Sequence, residues 1–307
     1  MATIHNNSTS AFFERSTQGL SGLRKQAEEL QTQISSEQRL SRSSDDPVAA
    51  SKLRTLARAG SLSKIDEVNA NRASADLTLI DTALSSFAEY IIHARDLAIQ
   101  AANGTLTDEQ RVGLGVELAE IHGNLVALAN TRDSSGHSLF GGEAADNAYT
   151  LDGNGNAVYV GTGSAGELAI GDGQTVTRGV TGPEFLNFSV NGTPTNLMAV
   201  VKDLADTLQG GGGDPATAAL EARDSLTAGL DAVTTNQTIV GARLSWLDLT
   251  AERRIDLGEL RTNEQIEIGA TDMPTAIARL QEVLLALEAS QASFGKLSGL
   301  TLFDSIR

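Results

Sequence analysis

Both ends of the chain carry one constraint, side chains, nearly all apolar, that recur mostly in three- and four-residue steps. Near the N-terminus they are Phe13, Leu20, Leu23, Ala27, Leu30 and Ile34. Near the C-terminus they are Ile277, Leu280, Leu284, Leu287, Phe294 and Leu297, with Gln291 among them. Such spacing draws one narrow stripe along a helix, the pattern of a coiled-coil seam. A lone helix with its stripe in water is marginal, so each end needs a partner. The two ends can supply each other, and their other faces stay available to further subunits. We therefore expect both segments to be mobile in a monomer and to become a coiled coil on assembly. An ordinary helical-bundle core is the competing reading, and periodicity alone favours it.

Composition agrees with helices packed through aliphatic side chains. The 307 residues are 40% apolar but only 4% aromatic, with a single Trp. Lys+Arg 23 against Asp+Glu 39 leaves a formal charge of −16, which opposes a large phosphate-binding surface and argues against a nucleic-acid role. The absence of cysteine removes disulfides, thiolate metal sites and Cys nucleophiles together. The start, Met1-Ala2-Thr3-Ile4-His5-Asn6-Asn7, is polar, and the sequence predicts neither a cleavable signal nor a membrane span.

Between the ends, start and stop signals mark further helices. Asp46 before Pro47 predicts a cap followed by a first-turn proline, opening a long helix from Val48 to about Ala102 with Gly60 as its weak point. Thr107-Asp108-Glu109-Gln110 has the form of a capping box, and the helix after it should end near Asn130. Asp214-Pro215 repeats the cap-then-proline start before another long helix, and the last helix should begin at about Pro274. After Gly141-Gly142 the pattern changes to glycines, Asn-Gly turns and short alternating runs, as strands need. Asn154-Gly155 and Asn191-Gly192 are hairpin candidates. Gly210–Gly213 closes this stretch.

The expected architecture is mainly α with a β-rich insert: an elongated coiled-coil-like helical rod formed by both chain ends. Residues 1–142 and 209–307 would form the two helical halves, and a small β-rich domain at 143–208 would face solvent and be replaceable.

Catalytic and ligand signals are weak. Gly161, Gly163 and Gly166 match a dinucleotide fingerprint in letters only, before no clear helix. Asp152, Asn154 and Asn156 have the oxygen spacing of a calcium loop, but Ala157 and Gly163 stand where glycine and glutamate are needed. His5, His93, His122 and His137 form no zinc-type motif, and no nucleophile elbow occurs. No catalytic, cofactor or metal residue is assigned, and the chain is expected not to be an enzyme. Arg253, Arg254 and Arg261 beside Glu252, Glu259 and Glu264 read as a solvated face or as intersubunit pairs.

Longer strings are more specific. Ser43-Ser44-Asp45-Asp46-Pro47-Val48-Ala49-Ala50, Asn103-Gly104-Thr105-Leu106-Thr107-Asp108-Glu109-Gln110-Arg111, Leu128-Ala129-Asn130-Thr131-Arg132-Asp133 and Leu139-Phe140-Gly141-Gly142 resemble the flagellin superfamily in order and spacing. The ending, Ala289-Ser290-Gln291-Ala292-Ser293-Phe294 and Leu297-Ser298-Gly299-Leu300-Thr301-Leu302-Phe303-Asp304, is more similar to the hook-associated members than to filament flagellins. The resemblance covers both helical halves and nothing distinctive in the insert. It implies a non-enzymatic axial protein at the hook–filament junction, exported by the flagellar type III apparatus with a chaperone and extracellular thereafter. Its implied partners are hook-associated protein 1, filament flagellin and further copies of itself in a ring or tube. On that reading the assembly interface comprises Phe13, Leu20, Leu23, Leu30, Ile34, Ile277, Leu280, Leu284, Leu287, Phe294 and Leu297. Ala2–Asn7 lacks the Arg-Ile-Ser/Thr opening common in the family, so a filament flagellin stays open. A secreted calcium-binding adhesin or hydrolase centred on the insert is the rival from another class.

Overall fold

The start signals read from the sequence act as expected in the computed structural model, which describes residues 4–304 and the side chains of residue 11 and residues 13–296. α1 runs Ile4–Ser36 and α2 runs Pro47–Ala101. Asp46 Oδ1 accepts the Ala49 N–H at 3.0 Å, so the first free donors of α2 are met by a carboxylate at the positive end of the helix. α2 continues through Gly60. α3, Asp108–Ala129, opens on the complete capping box, with Thr107 and Gln110 each serving the other's backbone, and is capped by Asn130. α6, Pro215–Gly269, starts behind Asp214, which accepts the Thr217 N–H at 3.0 Å. α7, Met273–Asp304, starts behind Asp272.

The stretch after Gly142 holds three two-stranded antiparallel hairpins: β1 Tyr149–Leu151 with β2 Ala157–Tyr159, β3 Glu167–Gly171 with β4 Gln174–Thr177, and β5 Asn187–Val190 with β6 Thr193–Asn196. Asn191 (φ 52) and Gly192 (φ 81) both occupy the left-handed region, which a two-residue hairpin turn of this kind requires. Strands are not the whole of it. α4, Gly182–Leu186, and α5, Leu197–Leu208, also lie here, and α5 was missed in the sequence. Asn196 caps it by accepting the Met198 and Ala199 N–H groups.

Backbone contacts divide the chain into two compact units, Met1–Ser61 with Asp256–Arg307 and Leu62–Ile255. The divisions fall inside α2 and α6. Unit 2 has a continuous core. Phe87 of α2, Phe140 and Phe185 of α4 are fully buried with ring centroids 5.0–6.0 Å apart. Leu118, Ile121 and Leu125 of α3 and Leu197, Val201 and Leu204 of α5 join the same cluster, as do Leu226, Val233 and Val240 of α6.

The expectation that the insert faces solvent and is replaceable is therefore corrected. A β-carbon on Gly115 of α3 would lie 3.0 Å from the Ala205 carbonyl and Leu208 of α5, so the two helices meet at a distance only glycine permits. Gly182 is pressed still more closely by the Tyr149 ring. Arg178, just after β4, donates to Asp76 at 3.1 Å and Asp133 at 3.4 Å, two carboxylates that are almost fully buried. Burial opposes ionisation of Asp133, but N–H donors from His137 and Ser135 and the Arg178 charge outweigh it, so its carboxyl stays below the usual range. The insert thus supplies the charge that neutralises two buried acids, Asp76 of α2 and Asp133 of the loop after α3. α3 is long and apolar enough to cross a membrane by composition, yet one of its faces belongs to this core.

Candidate functional site

Within unit 1, α1 packs along α7, antiparallel. Phe13 meets Phe294 edge to face at 5.4 Å, while at the other end Thr271 N donates to the Glu37 carbonyl at 3.0 Å. On α1 Phe13, Ser16, Leu20, Leu23, Ala27, Leu30 and Ile34 are half-buried in an unbroken 3-4 alternation, with Ala11 and Gln33 half-buried beside them. On α7 the buried Ala276 and the half-buried Leu280, Val283, Leu287, Ser290 and Phe294 are equally regular, with Met273 and Ala286 half-buried beside them.

The inner stripe of α7 is thus one register away from part of the expected one. Leu280, Leu287 and Phe294 lie on it, whereas Ile277 and Leu284 do not and are 43% and 48% exposed. Leu285 is more exposed still. Small residues at 276 and 290 disguise the inner register in the sequence, and the unbroken heptad is the signal that finds it. Leu297 lies outside the described side chains, as does His5.

The seam is incompletely filled. A groove of about 540 Å3 runs between Leu23, Glu29 and Leu30 on one side and Arg279, Glu282 and Val283 on the other. A second, of about 590 Å3, lies between Gly19, Leu20 and Leu23 and Ala289, Ser290 and Phe294. Two helices with a single stripe each cover one side of each other and no more, which leaves aliphatic side chains at the groove floors.

The joint below the seam is polar and specific. The Arg39 guanidinium donates to the Ile268 carbonyl at 3.0 Å and to Asp46 at 3.3 Å, and its backbone N–H donates to the Gly269 carbonyl at 2.8 Å. Asp45 accepts the Arg42 and Ser41 N–H groups. These donors hold the carboxyls of both aspartates below the ordinary carboxylate value, Asp45 chiefly through Arg42 and Asp46 chiefly through the Ala49 N–H. The Ser-Ser-Asp-Asp-Pro string is thus a folded turn that ties the loop after α1 to the α6–α7 junction. Sequence reading found its capping aspartate and missed its partner Arg39.

The other candidate residues are structural. Asp152 Oδ1 accepts the Asn154 and Asn156 N–H groups, each at 2.8 Å, which is turn chemistry. His93 pairs with Glu117 at 3.1 Å, His137 lies 3.7 Å from Asp133, and His122 is buried. Gly161 approaches the Tyr159 hydroxyl and the Gly141 carbonyl. Glu264 pairs with Lys52 at 2.6 Å, and Arg254 donates to the Ile170 carbonyl at 3.0 Å. Among the described residues no cluster of three metal-ligating side chains occurs.

Residues 8–145 match the bacterial flagellin N-terminal helical region. The chain is 24% identical to flagellar hook-associated protein 3 of Escherichia coli K12 over 313 positions, covering 97% of this chain and 98% of that protein. It is 25% identical to the protein of the same name from Salmonella typhimurium LT2, again over 97% of this chain and 98% of the relative. The crystal structure of the flagellar junction protein FlgL from Legionella pneumophila shares the fold, with a TM-score of 0.58 at 15% identity, covering 71% of this chain and 99% of that one.

Proposed function

We propose that this chain, a relative of the flagellar hook-associated proteins with a flagellin-type N-terminal helical region, is a structural, non-enzymatic part of the bacterial flagellum that joins the hook to the filament. One observation carries the reading from residues to role. The end-to-end similarity to hook-associated protein 3 includes both terminal stripes, and those stripes pair here while leaving aliphatic grooves open. A seam filled on one side only suits a subunit whose neighbours complete it.

On this reading Phe13, Leu20, Leu23, Leu30, Ile34, Leu280, Leu287 and Phe294 form the intrachain half of the assembly coil. Ile277 and Leu284 turn outward toward neighbouring subunits. The helical halves, 1–142 and 209–307, carry assembly. Hook-associated protein 1 is the partner on the hook side and filament flagellin on the other, with further copies alongside in a ring or tube. The chain reaches its extracellular place through the flagellar type III apparatus with an export chaperone.

Deleting the gene and viewing the cells tests the role. Hooks that lack filaments, with filament subunits shed into the medium, are expected; intact filaments on the deletion strain would overturn it. A filament flagellin is the second reading, which the departure at Ala2–Asn7 leaves open. Purified chain that elongates alone into long filaments would select it.

A further inference from the structure

The apolar core of unit 2 stops before the unit does. Its buried row on α2 begins at Ala70, and its buried row on α6 ends at Leu247. Beyond those points Leu62, Ile65 and Val68 of α2 and Leu249 and Ile255 of α6 are more than half exposed. Both helices nevertheless run on unbroken, α2 from Pro47 and α6 to Gly269. In this stretch the hairpin β3–β4 reaches both of them.

Consecutive carbonyls of a strand point to opposite sides, and β3 uses two of them on different helices. The Ala169 carbonyl accepts Asn69 Nδ2 of α2 at 2.8 Å, and the Ile170 carbonyl accepts the Arg254 guanidinium of α6 at 3.0 Å. A bulge accompanies this arrangement. Pairing with β4 shifts between Ala169 and Gly171, so Ile170 is the extra residue, and its side chain is buried. Gly171 (φ 101), Asp172 (φ 52) and Gly173 (φ 74) then turn the tip through the left-handed region. A β-carbon on Gly171 would lie 2.7 Å from Asp66 Oδ2, so glycine is what lets the hairpin come this near to α2.

The alternation recurs along the following residues. The Arg178 guanidinium donates to Asp76 of α2 at 3.1 Å, while the carbonyl of its neighbour Gly179 accepts Arg243 of α6 at 2.8 Å. The Glu184 carbonyl then accepts Asn236 of α6 at 3.3 Å. Asn69 and Asp76 are about two turns apart on α2. Arg254, Arg243 and Asn236 are about three and two turns apart on α6, so each set lies along one face of its helix. Residues 167–186 thus lace the two helices together from β3 to the end of α4.

The division between the units falls inside α2 and α6, so the chain passes from one unit to the other through these two helices. We propose that residues 167–186 form a strap that couples α2 to α6, so that a pull on either helix is shared with the other. A contiguous chain of hydrogen bonds and packed side chains carries the coupling. The strap rests on the junction reading for the source of the load, a rotating filament, but not for the coupling itself.

Asn69→Ala and Arg254→Ala, made singly and together in the purified full-length chain, test it by hydrogen exchange. Each removes one bond at a half-buried position. Each should speed exchange several-fold on both helices, at residues 62–76 and 243–255, so that the change on α2 loosens α6 and the reverse. The double variant should add little to either single one, because one broken anchor already releases the strap, whereas independent bonds would add. Gly171→Ala, which forces the tip off Asp66, should reproduce the pattern with both side-chain anchors in place. Protection around Leu125 and Val201 should not change. Faster exchange on the altered helix alone, or evenly through the chain, overturns the proposal. In cells, the double variant should lose filaments from rotating motors and keep them on paralysed ones. Equal retention or equal loss in the two strains overturns the sharing of load. An unaltered chain absent from flagella would contradict the junction reading, and the exchange result would still decide the coupling.

Discussion

The edge-to-face ring pairs Phe87–Phe185 and Phe13–Phe294 have opposite consequences. Phe87 and Phe185 in unit 2 lie 5.1 Å apart with no exposure at all, while Phe13 and Phe294 in unit 1 lie 5.4 Å apart and are only half-buried. The geometry is the same and the surroundings differ. In unit 2 a third ring, an inserted helix and α6 close every side of the contact. In unit 1 only two helices are present, and a groove opens beside the rings. A contact contributes its full apolar transfer only when water is excluded all round, so local pairing does not by itself make a stable element.

The largest expected effect breaks the first region. Phe185→Ala should cost about 3–5 kcal/mol, because it opens a cavity between rings that cannot collapse. Phe13→Ala should leave the melting of the dilute chain almost unmoved. Comparing both variants by calorimetry reads the difference directly, and equal losses would erase the contrast.

Next comes Arg178→Leu, which strands Asp76 and Asp133. Breaking a buried pair costs about 3–5 kcal/mol, and since Arg178 is itself about one-third exposed the expected loss is nearer about 2 kcal/mol. Denaturant unfolding measures it. A loss near zero would mean that water, not the guanidinium, neutralises the two acids.

A smaller effect concerns pH. Burial between α3 and α5 pushes the His122 imidazole below its ordinary value, helped by the Lys202 charge and opposed by Asp206. A depressed folded-state pKa means the folded chain prefers the neutral ring. That contribution to stability is therefore present above about pH 6.5 and is lost as pH falls below it. Unit 2 should weaken between pH 7 and pH 5, and His122→Phe should flatten the profile over that range. An unchanged slope would assign the acid sensitivity elsewhere.

The smallest effect on folding is the most informative for assembly. Leu284→Asp, on the outer side of α7, should change monomer stability by no more than about 0.5 kcal/mol, as surface changes do, yet prevent incorporation into flagella. Normal incorporation would contradict an outward assembly edge at this position.

How far these regions were legible in advance follows from what each encodes locally. Caps are local, so Asp46, Thr107 and Asp214 could be read directly. The Asn191-Gly192 turn was equally plain, since positive backbone angles at both positions favour those residues. Heptads are local too, but Leu280, Leu287 and Phe294 belong to the inner register while Ile277 and Leu284 do not. Choosing between adjacent registers needs the partner, and Ala276 and Ser290 carry too little hydrophobicity to announce it. α5 escaped because glycine-rich, strand-like sequence surrounds a single 12-residue helix. The insert's share in the core was invisible for another reason. Phe185, Leu186 and Leu197 pack against residues distant in sequence, and short alternating runs do not say which face will be buried.

The central claim is that the paired chain ends are unfinished until neighbours complete them, whereas unit 2 is finished alone. Hydrogen exchange on the dilute monomer, followed by the same measurement on flagella containing the chain, tests it most directly. Amides of residues 13–34 and 276–294 should exchange rapidly in the monomer and slowly after incorporation, while those around Phe87, Leu125 and Val201 stay protected throughout. Strong protection of both terminal segments in the dilute monomer would contradict the account.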